Sequence, residues 1–169
     1  MMLPAEEKQT PEVSRLLAGV ANAIASARSC WLITSTEAGA VHARPMGQLP
    51  RSLDGDEWTI RFVTDGRSRK AEEIRHGGRT TIIVQNSDDT FINLTGPASL
   101  CEEAAEVRRR WKKVFDAYFP TAQDRENAAF IAVDVKRMEL WIRGLTPEPF
   151  GMRPTKLERD ARGAWCLIS

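Results

Sequence analysis

From Cys30 onward the chain is a succession of short β-forming runs broken by turn clusters, and that many strands within 169 residues point to a barrel. Trp31–Thr36 and Val41–Gln48 flank the turn Glu37-Ala38-Gly39-Ala40 and read as a hairpin. Further strands are predicted at Glu57–Thr64, Thr80–Gln85, Phe91–Leu100, Phe130–Val135 and Arg137–Arg143. Turn clusters such as Leu53-Asp54-Gly55-Asp56 and Asn86-Ser87-Asp88-Asp89 separate them. Thr155–Arg159 and Ala164–Ile168, on either side of Asp160-Ala161-Arg162-Gly163, form a last hairpin. The fold class is therefore mainly β, with helices at its flanks.

Two helices stand out. Thr10-Pro11 pairs a capping hydroxyl with a proline at the first helical position, and Val13, Leu16, Leu17, Val20 and Ile24 then recur at helical spacing, predicting an amphipathic helix over 11–27. Glu102–Phe115 carries Glu102, Glu103 and Glu106 early and Arg108, Arg109, Arg110, Lys112 and Lys113 late, an order that complements the helix dipole. The basic run could suggest RNA contact, yet Glu106 and Arg110 are spaced for an i,i+4 pair, and the dipole arrangement of a solvated helix face by itself explains the run. Trp111 and Phe115, four apart, are expected to pack this helix on the sheet.

A chain of this length suits one domain, over residues 1–169, with 1–10 a flexible start and 151–169 a C-terminal hairpin. There are 24 basic against 23 acidic residues, a net charge of +1, so the broad positive field of a nucleic-acid binder is absent. No apolar run is long enough for a membrane helix, and Met1–Lys8 lacks the basic start and apolar core of a secretion signal, so the expectation is a soluble cytoplasmic protein without membrane or nucleic-acid partners. Cys30, Cys101 and Cys166 form no CxxC pair, which leaves neither a disulfide framework nor a metal site.

Chemistry concentrates at Phe62-Val63-Thr64-Asp65-Gly66-Arg67-Ser68-Arg69-Lys70, where a strand ends in hydroxyls and cations around the start of a short helix. Unpaired backbone N–H groups at a helix start, the Ser68 hydroxyl, and the full charges of Arg69 and Lys70 are what a phosphate requires. The plainer alternative is a Ser68 cap with a solvated basic rim. On Val41–Gln48, alternation sends His42, Arg44, Met46 and Gln48 to one face, and Pro45, which cannot donate to a ladder, places the strand at an edge or beside a ligand or second subunit. An edge strand with polar residues facing water fits as well.

Taken together, Arg44-Pro45-Met46, Thr64, and Ser68-Arg69-Lys70 resemble the pyridoxamine 5'-phosphate oxidase-like FMN-binding split barrels, and more narrowly their general-stress-protein branch. Gly96-Pro97-Ala98 after a strand and Met138-Glu139-Leu140-Trp141 near the end fall in the same order as in that family, and the resemblance spans about residues 11–169. It implies a six-stranded antiparallel split barrel with flanking helices, assembled as a homodimer with two FMN sites in the clefts between subunits. By the same resemblance Arg44 and Lys70 meet the FMN phosphate, joined by Ser68 and Arg69, while Met46 and Thr64, with Pro45 and Val63 beside them, border the ribityl chain and ring. Arginine suits phosphate through its planar fork and lysine through a compact charge. Trp141 approaches the flavin from the partner chain, or is a buried interface residue. His42 shares the ligand face, and His76-Gly77-Gly78 reads as a helix end.

The chain also departs from the oxidase proper. Leu49 stands where a basic residue reads the substrate's phosphate, Gly151-Met152-Arg153-Pro154-Thr155 replaces the C-terminal Arg-Leu-His-Asp-Arg signature with Arg153 as its one remnant, and Phe91 replaces a glutamine that approaches the flavin. The expected activity is that of an FMN-dependent oxidoreductase on a small molecule other than pyridoxamine phosphate, with no catalytic side chain assigned. Alternatives are a non-catalytic flavin-binding stress protein, or a split barrel holding haem or a deazaflavin, since related barrels bind each.

Overall fold

The computed structural model describes residues 10–47, 58–77, 79–87 and 89–169. Residues 1–9 of the predicted flexible start, Gln48, Leu49, the turn Leu53–Asp56, Glu57, Gly78 and Asp88 lie outside them, while Thr10 is described. Helix α1 (Pro11–Ser26) begins where predicted: the Val13 N–H donates to the Thr10 hydroxyl at 3.3 Å, Pro11 occupies the first turn, and Val13, Leu16, Leu17, Val20, Ala23 and Ile24 are buried. That face lies against the sheet.

The strands are β1 (Cys30–Ser35), β2 (Val41–Met46), β3 (Thr59–Asp65), β4 (Arg79–Ser87), β5 (Thr90–Cys101), β6 (Ala128–Asp134), β7 (Arg137–Ile142), β8 (Thr155–Arg159) and β9 (Trp165–Ile168). All pairings are antiparallel. One path runs β2-β1-β4-β5-β7-β8-β9, and β6 joins β5 to β3. The architecture is a mainly β antiparallel barrel with flanking helices, as expected, but with nine strands among the described residues where the resemblance implied six. The surplus lies partly at the C-terminus: β8 pairs with β7, β9 pairs with β8, and Trp165 packs edge-on against Trp58 with ring centroids 5.6 Å apart, so the last hairpin is built into the sheet.

Strand β5 closes the barrel. Its first part is paired on both sides, with β4 and β7, and its last part, Ala98–Cys101, pairs with β6. Gly96, expected to follow a strand, sits inside β5 at the point where it changes partners. A Cβ there would lie 1.9 Å from the Asp134 carbonyl oxygen, because the β6–β7 corner crosses directly over it, so only glycine fits. The corner is tied down by Lys136 N–H to the Thr95 carbonyl at 2.9 Å and Val135 N–H to the Trp58 carbonyl at 3.0 Å. Leu32, Phe62, Ile82, Ile92, Leu94, Ile131, Met138 and Leu140 fill the interior.

The helix predicted over Glu102–Phe115 is shorter. Helix α3 covers Ala104–Arg110, Trp111 is extended, and a 3-10 turn follows at Lys113–Ala117. Aromatic packing explains the break: Trp111 meets both Phe115 and Phe119 edge-on at 5.6 Å, and its indole N–H donates to Asp116 at 2.9 Å. Phe115 in turn reaches Phe130, so this segment does pack on the sheet. Glu106 accepts from both Arg109 and Arg110, the second being the expected i,i+4 pair. Helix α4 (Ala122–Glu126), absent from the sequence reading, starts at a capping box between Thr121 and Asp124.

Candidate functional site

Helix α2 (Arg69–Arg75) follows β3 and packs near β1 and β5. At only seven residues, its dipole is a minor term beside the side chains around it. On β2, at the end of the sheet path among the described residues, His42, Arg44 and Met46 face inward, the first two reaching Glu73 of α2, while Val41, Ala43 and Pro45 face outward and are exposed. The edge position of Pro45 is thus as its missing donor required.

The structure brings Arg44 and Lys70 together. Burial, reinforced by the nearby Arg44 cation, pulls the Lys70 ammonium below the ordinary lysine range, and Asp65 offsets this only in part. Among the described residues no carboxylate lies within ion-pair distance of Lys70. Two cations held close with one unmatched form a place for an anion. Beside them stand two hydroxyls: buried Thr64 Oγ1 lies 3.4 Å from Ser68 Oγ, and Ser68 caps α2 by accepting from the Ala71 N–H at 3.4 Å. Ser68 is thus the helix cap, with its hydroxyl turned toward Thr64.

Arg44 is fixed by neighbours that the sequence reading did not identify. Its Nη1 donates to Thr34 Oγ1 at 2.5 Å, and its Nη2 lies 3.4 Å from Glu73 Oε2. The Thr34 hydroxyl donates to the same carboxylate, and His42 Nδ1 is 2.6 Å from Glu73 Oε1. Facing a carboxylate oxygen, Nδ1 is the donor. Burial alone would raise the Glu73 carboxyl, but the hydrogen bonds from Thr34 and His42 and the charges of His42 and Arg44 outweigh it and hold the group below the usual carboxylate range. Arg69 remains mostly exposed, 67% for its side chain, with Nε 3.8 Å from Glu73 Oε1. Arg67 is taken up by Asp65, which accepts from Nη2 at 2.7 Å and Nε at 3.1 Å, and so closes the turn.

Other predicted contacts lie elsewhere. Met46 packs against the main core, and Val63 against the aromatic cluster of Val107, Phe115, Phe119 and Phe130. Trp141 stands opposite Phe91 on the outward side of β7, four strands from β2, so one chain does not bring it to Arg44. Arg153 lies exposed between β7 and β8. The anion cluster is an open edge, whereas cavities of about 540, 760 and 650 Å³ occur at α1 with the β7–β8 connection, over Gly96, and beside Trp111. Among the described residues there is no metal-binding cluster and no helix long and apolar enough to cross a membrane.

The nine strands and flanking helices define an antiparallel split barrel, with two cations and two hydroxyls near one edge. The chain belongs to the family described as pyridoxamine 5'-phosphate oxidase like, which it matches over residues 17–147. Similar crystal structures include a protein related to general stress protein 26 from Clostridium acetobutylicum, at 12% identity over 88% of this chain and 96% of that one with a TM-score of 0.69. A pyridoxamine 5'-phosphate oxidase-related, FMN binding protein from Nostoc punctiforme is 18% identical over 96% and 98% of the two chains, TM-score 0.65. The general stress FMN/FAD binding protein of Xanthomonas citri is 22% identical over 79% and 93%, TM-score 0.63. Such identities establish the fold. Among curated proteins none matches the chain.

Proposed function

We propose that the chain binds FMN through its phosphate at Arg44, Ser68, Arg69 and Lys70, and acts as an FMN-dependent oxidoreductase on a small molecule. The observation that carries this reading is Lys70, a half-buried cation next to Arg44 with no carboxylate of its own among the described residues. The donor set suits a dianion: a guanidinium, an ammonium and two hydroxyls. FMN binding in the Nostoc protein and FMN/FAD binding in the Xanthomonas protein lend support from the same fold. The flavin ring would supply the electron transfer, and the chain's own residues would anchor and orient it. Arg44 would donate through its fork while Thr34 and Glu73 keep it aimed, Lys70 would add charge, and Ser68 and Thr64 would donate hydroxyls.

A homodimer completes this proposal. The outward face of the sheet carries an apolar strip along one end of β2 to β7, beside the polar Thr81, Asn93, Thr95 and Glu139: Val41 is 67% and Trp31 50% exposed, Ala43 and Pro45 are exposed, and Ile33, Ile83, Phe91 and Trp141 are partly so. Such a strip on one face suits a second copy of the chain, which would bring its Trp141 toward the open anion edge. Three free cysteines fit a reducing, cytoplasmic setting.

The test is the visible spectrum of freshly purified protein, followed by titration with FMN. Yellow protein, or stoichiometric uptake of FMN, is expected. Folded protein that stays colourless and takes up none would reject the reading, and a Soret band would assign haem instead. FMN that binds but is never turned over with NAD(P)H would make the protein a flavin carrier.

A further inference from the structure

The cavity of about 650 Å³ beside Trp111 lies between two short helices. Ala104, Val107, Arg108 and Trp111 recur at i, i+3, i+4 and i+7 along α3 and just past its end, and they line one wall. Ala122, Arg125 and Glu126, spaced i, i+3 and i+4 on α4, line the other, and buried Ala128 of β6 closes the lining. Packed elements ordinarily interlock through large side chains, but here three alanines leave a gap beside one indole ring. The volume falls within the roughly 300–1,000 Å³ usual for a small-molecule site.

Four charged groups line this cavity, and two are already matched. Glu102 accepts from Arg75 Nε at 3.2 Å, while Arg125 donates to the Phe119 carbonyl at 3.0 Å and lies 3.4 Å from Asp116. Further along α3, Arg109 and Arg110 share Glu106. Arg108 on one wall and Glu126 on the other have no side-chain hydrogen bond or ion pair among the described residues, with each other or with anything else. An unmatched cation and an unmatched anion thus stand on opposite walls of an apolar cavity.

We infer that this cavity binds an aromatic α-amino acid, with its ring between the helices against Trp111, its carboxylate at Arg108 and its ammonium at Glu126. The two arginines and two glutamates of the lining cancel, so a ligand of zero net charge keeps the balance. A lone carboxylate would leave Glu126 unmatched, and a lone amine would leave Arg108 so. An aromatic ring suits the indole, because edge-on and offset contacts between rings add to the gain from burying them. The guanidinium fork matches the two carboxylate oxygens. This site shares no residue with the anion edge and stands whether or not a phosphate binds there.

The experiment is a ligand-detected NMR titration of the full chain with L-tryptophan, with indole-3-propionate, which lacks the ammonium, and with tryptamine, which lacks the carboxylate. Tryptophan should bind about threefold tighter than either analogue, the scale of one exposed charge contact. Arg108→Gln should weaken tryptophan and indole-3-propionate about threefold and leave tryptamine unchanged or tighter. Glu126→Gln should weaken tryptophan and tryptamine alike and spare indole-3-propionate. Ala104→Phe fills the cavity from an exposed position, leaves both charges in place, and should abolish binding of all three. Should that variant not fold, Ala122→Phe fills it from the opposite wall. Absence of tryptophan binding, equal affinity for tryptophan and an analogue, an equal loss for all three ligands in the charge variants, or binding untouched by the filled cavity overturns the inference.

Discussion

Arg44 and Lys70 lie near enough for the charge of one to act on the other although they are 26 positions apart, and each is braced differently: one by hydrogen bonds to Thr34 and Glu73, the other by burial. Replacing either with alanine is expected to weaken FMN binding by about 1.5–3 kcal/mol, the usual worth of a hydrogen bond to a charged group, while riboflavin, which lacks the phosphate, should bind as before. Calorimetry with both ligands checks this. Lys70 also sets a pH dependence. Its folded pKa is depressed, so the ammonium is lost at a lower pH than in an ordinary lysine, and FMN affinity should fall as pH rises through that lowered value. Stability of the ligand-free chain runs the other way. In that window the unfolded chain binds more protons, so stability rises with pH, and chemical denaturation at pH 8 and 10 reads it.

Residue type and spacing single out Arg44, Ser68 and Lys70 as candidates, since cations and hydroxyls beside a strand end carry their own chemical meaning. They did not expose Glu73. Its partners Thr34 and His42 are 39 and 31 positions away, and an acid on a short helix looks solvated until the tertiary fold decides which face is covered. Pro45 and Val63 show the converse. Both were singled out with the same stretches, yet alternation turns Pro45 outward on its strand and Val63 into the aromatic cluster.

At the scale of elements, strands could be read because one face of each is buried, and period-two alternation survives any detail of pairing. Helix α3 was overestimated because charge order continues past Arg110, whereas the end of the helix is set by where Trp111 finds Phe115, Phe119 and Asp116. Trp111→Ala should therefore destabilise through lost packing, by about 2–4 kcal/mol given the partial exposure of the ring, with a lowered melting temperature and little change in FMN affinity. Gly96 makes a sharper case. Its Cβ would overlap a backbone oxygen that belongs to the tightest corner of the barrel, so Gly96→Ala is expected to cost about 1–3 kcal/mol or more, read from the midpoint of urea unfolding.

For the whole molecule, the apolar outer face and the open anion edge belong to one proposal, because the first supplies a partner and the second needs one. Light scattering should give twice the chain mass. Trp31→Glu, placed at the centre of that face opposite Pro45 and Ile83, should yield monomers that keep Arg44 and Lys70 intact yet bind FMN about tenfold more weakly or worse. A Trp31→Glu chain that stays dimeric would move the interface elsewhere.

Strand β5 joins the two branches of the sheet, flanked by β4 and β7 along one stretch and by β6 along the next. Losing that shared member would part the two branches of the sheet, so the strands paired to it are expected to open together. Melting should accordingly be all-or-none, and the backbone amides of Ile92 to Leu94 should be among the last to exchange with deuterium, opening only when the entire barrel does.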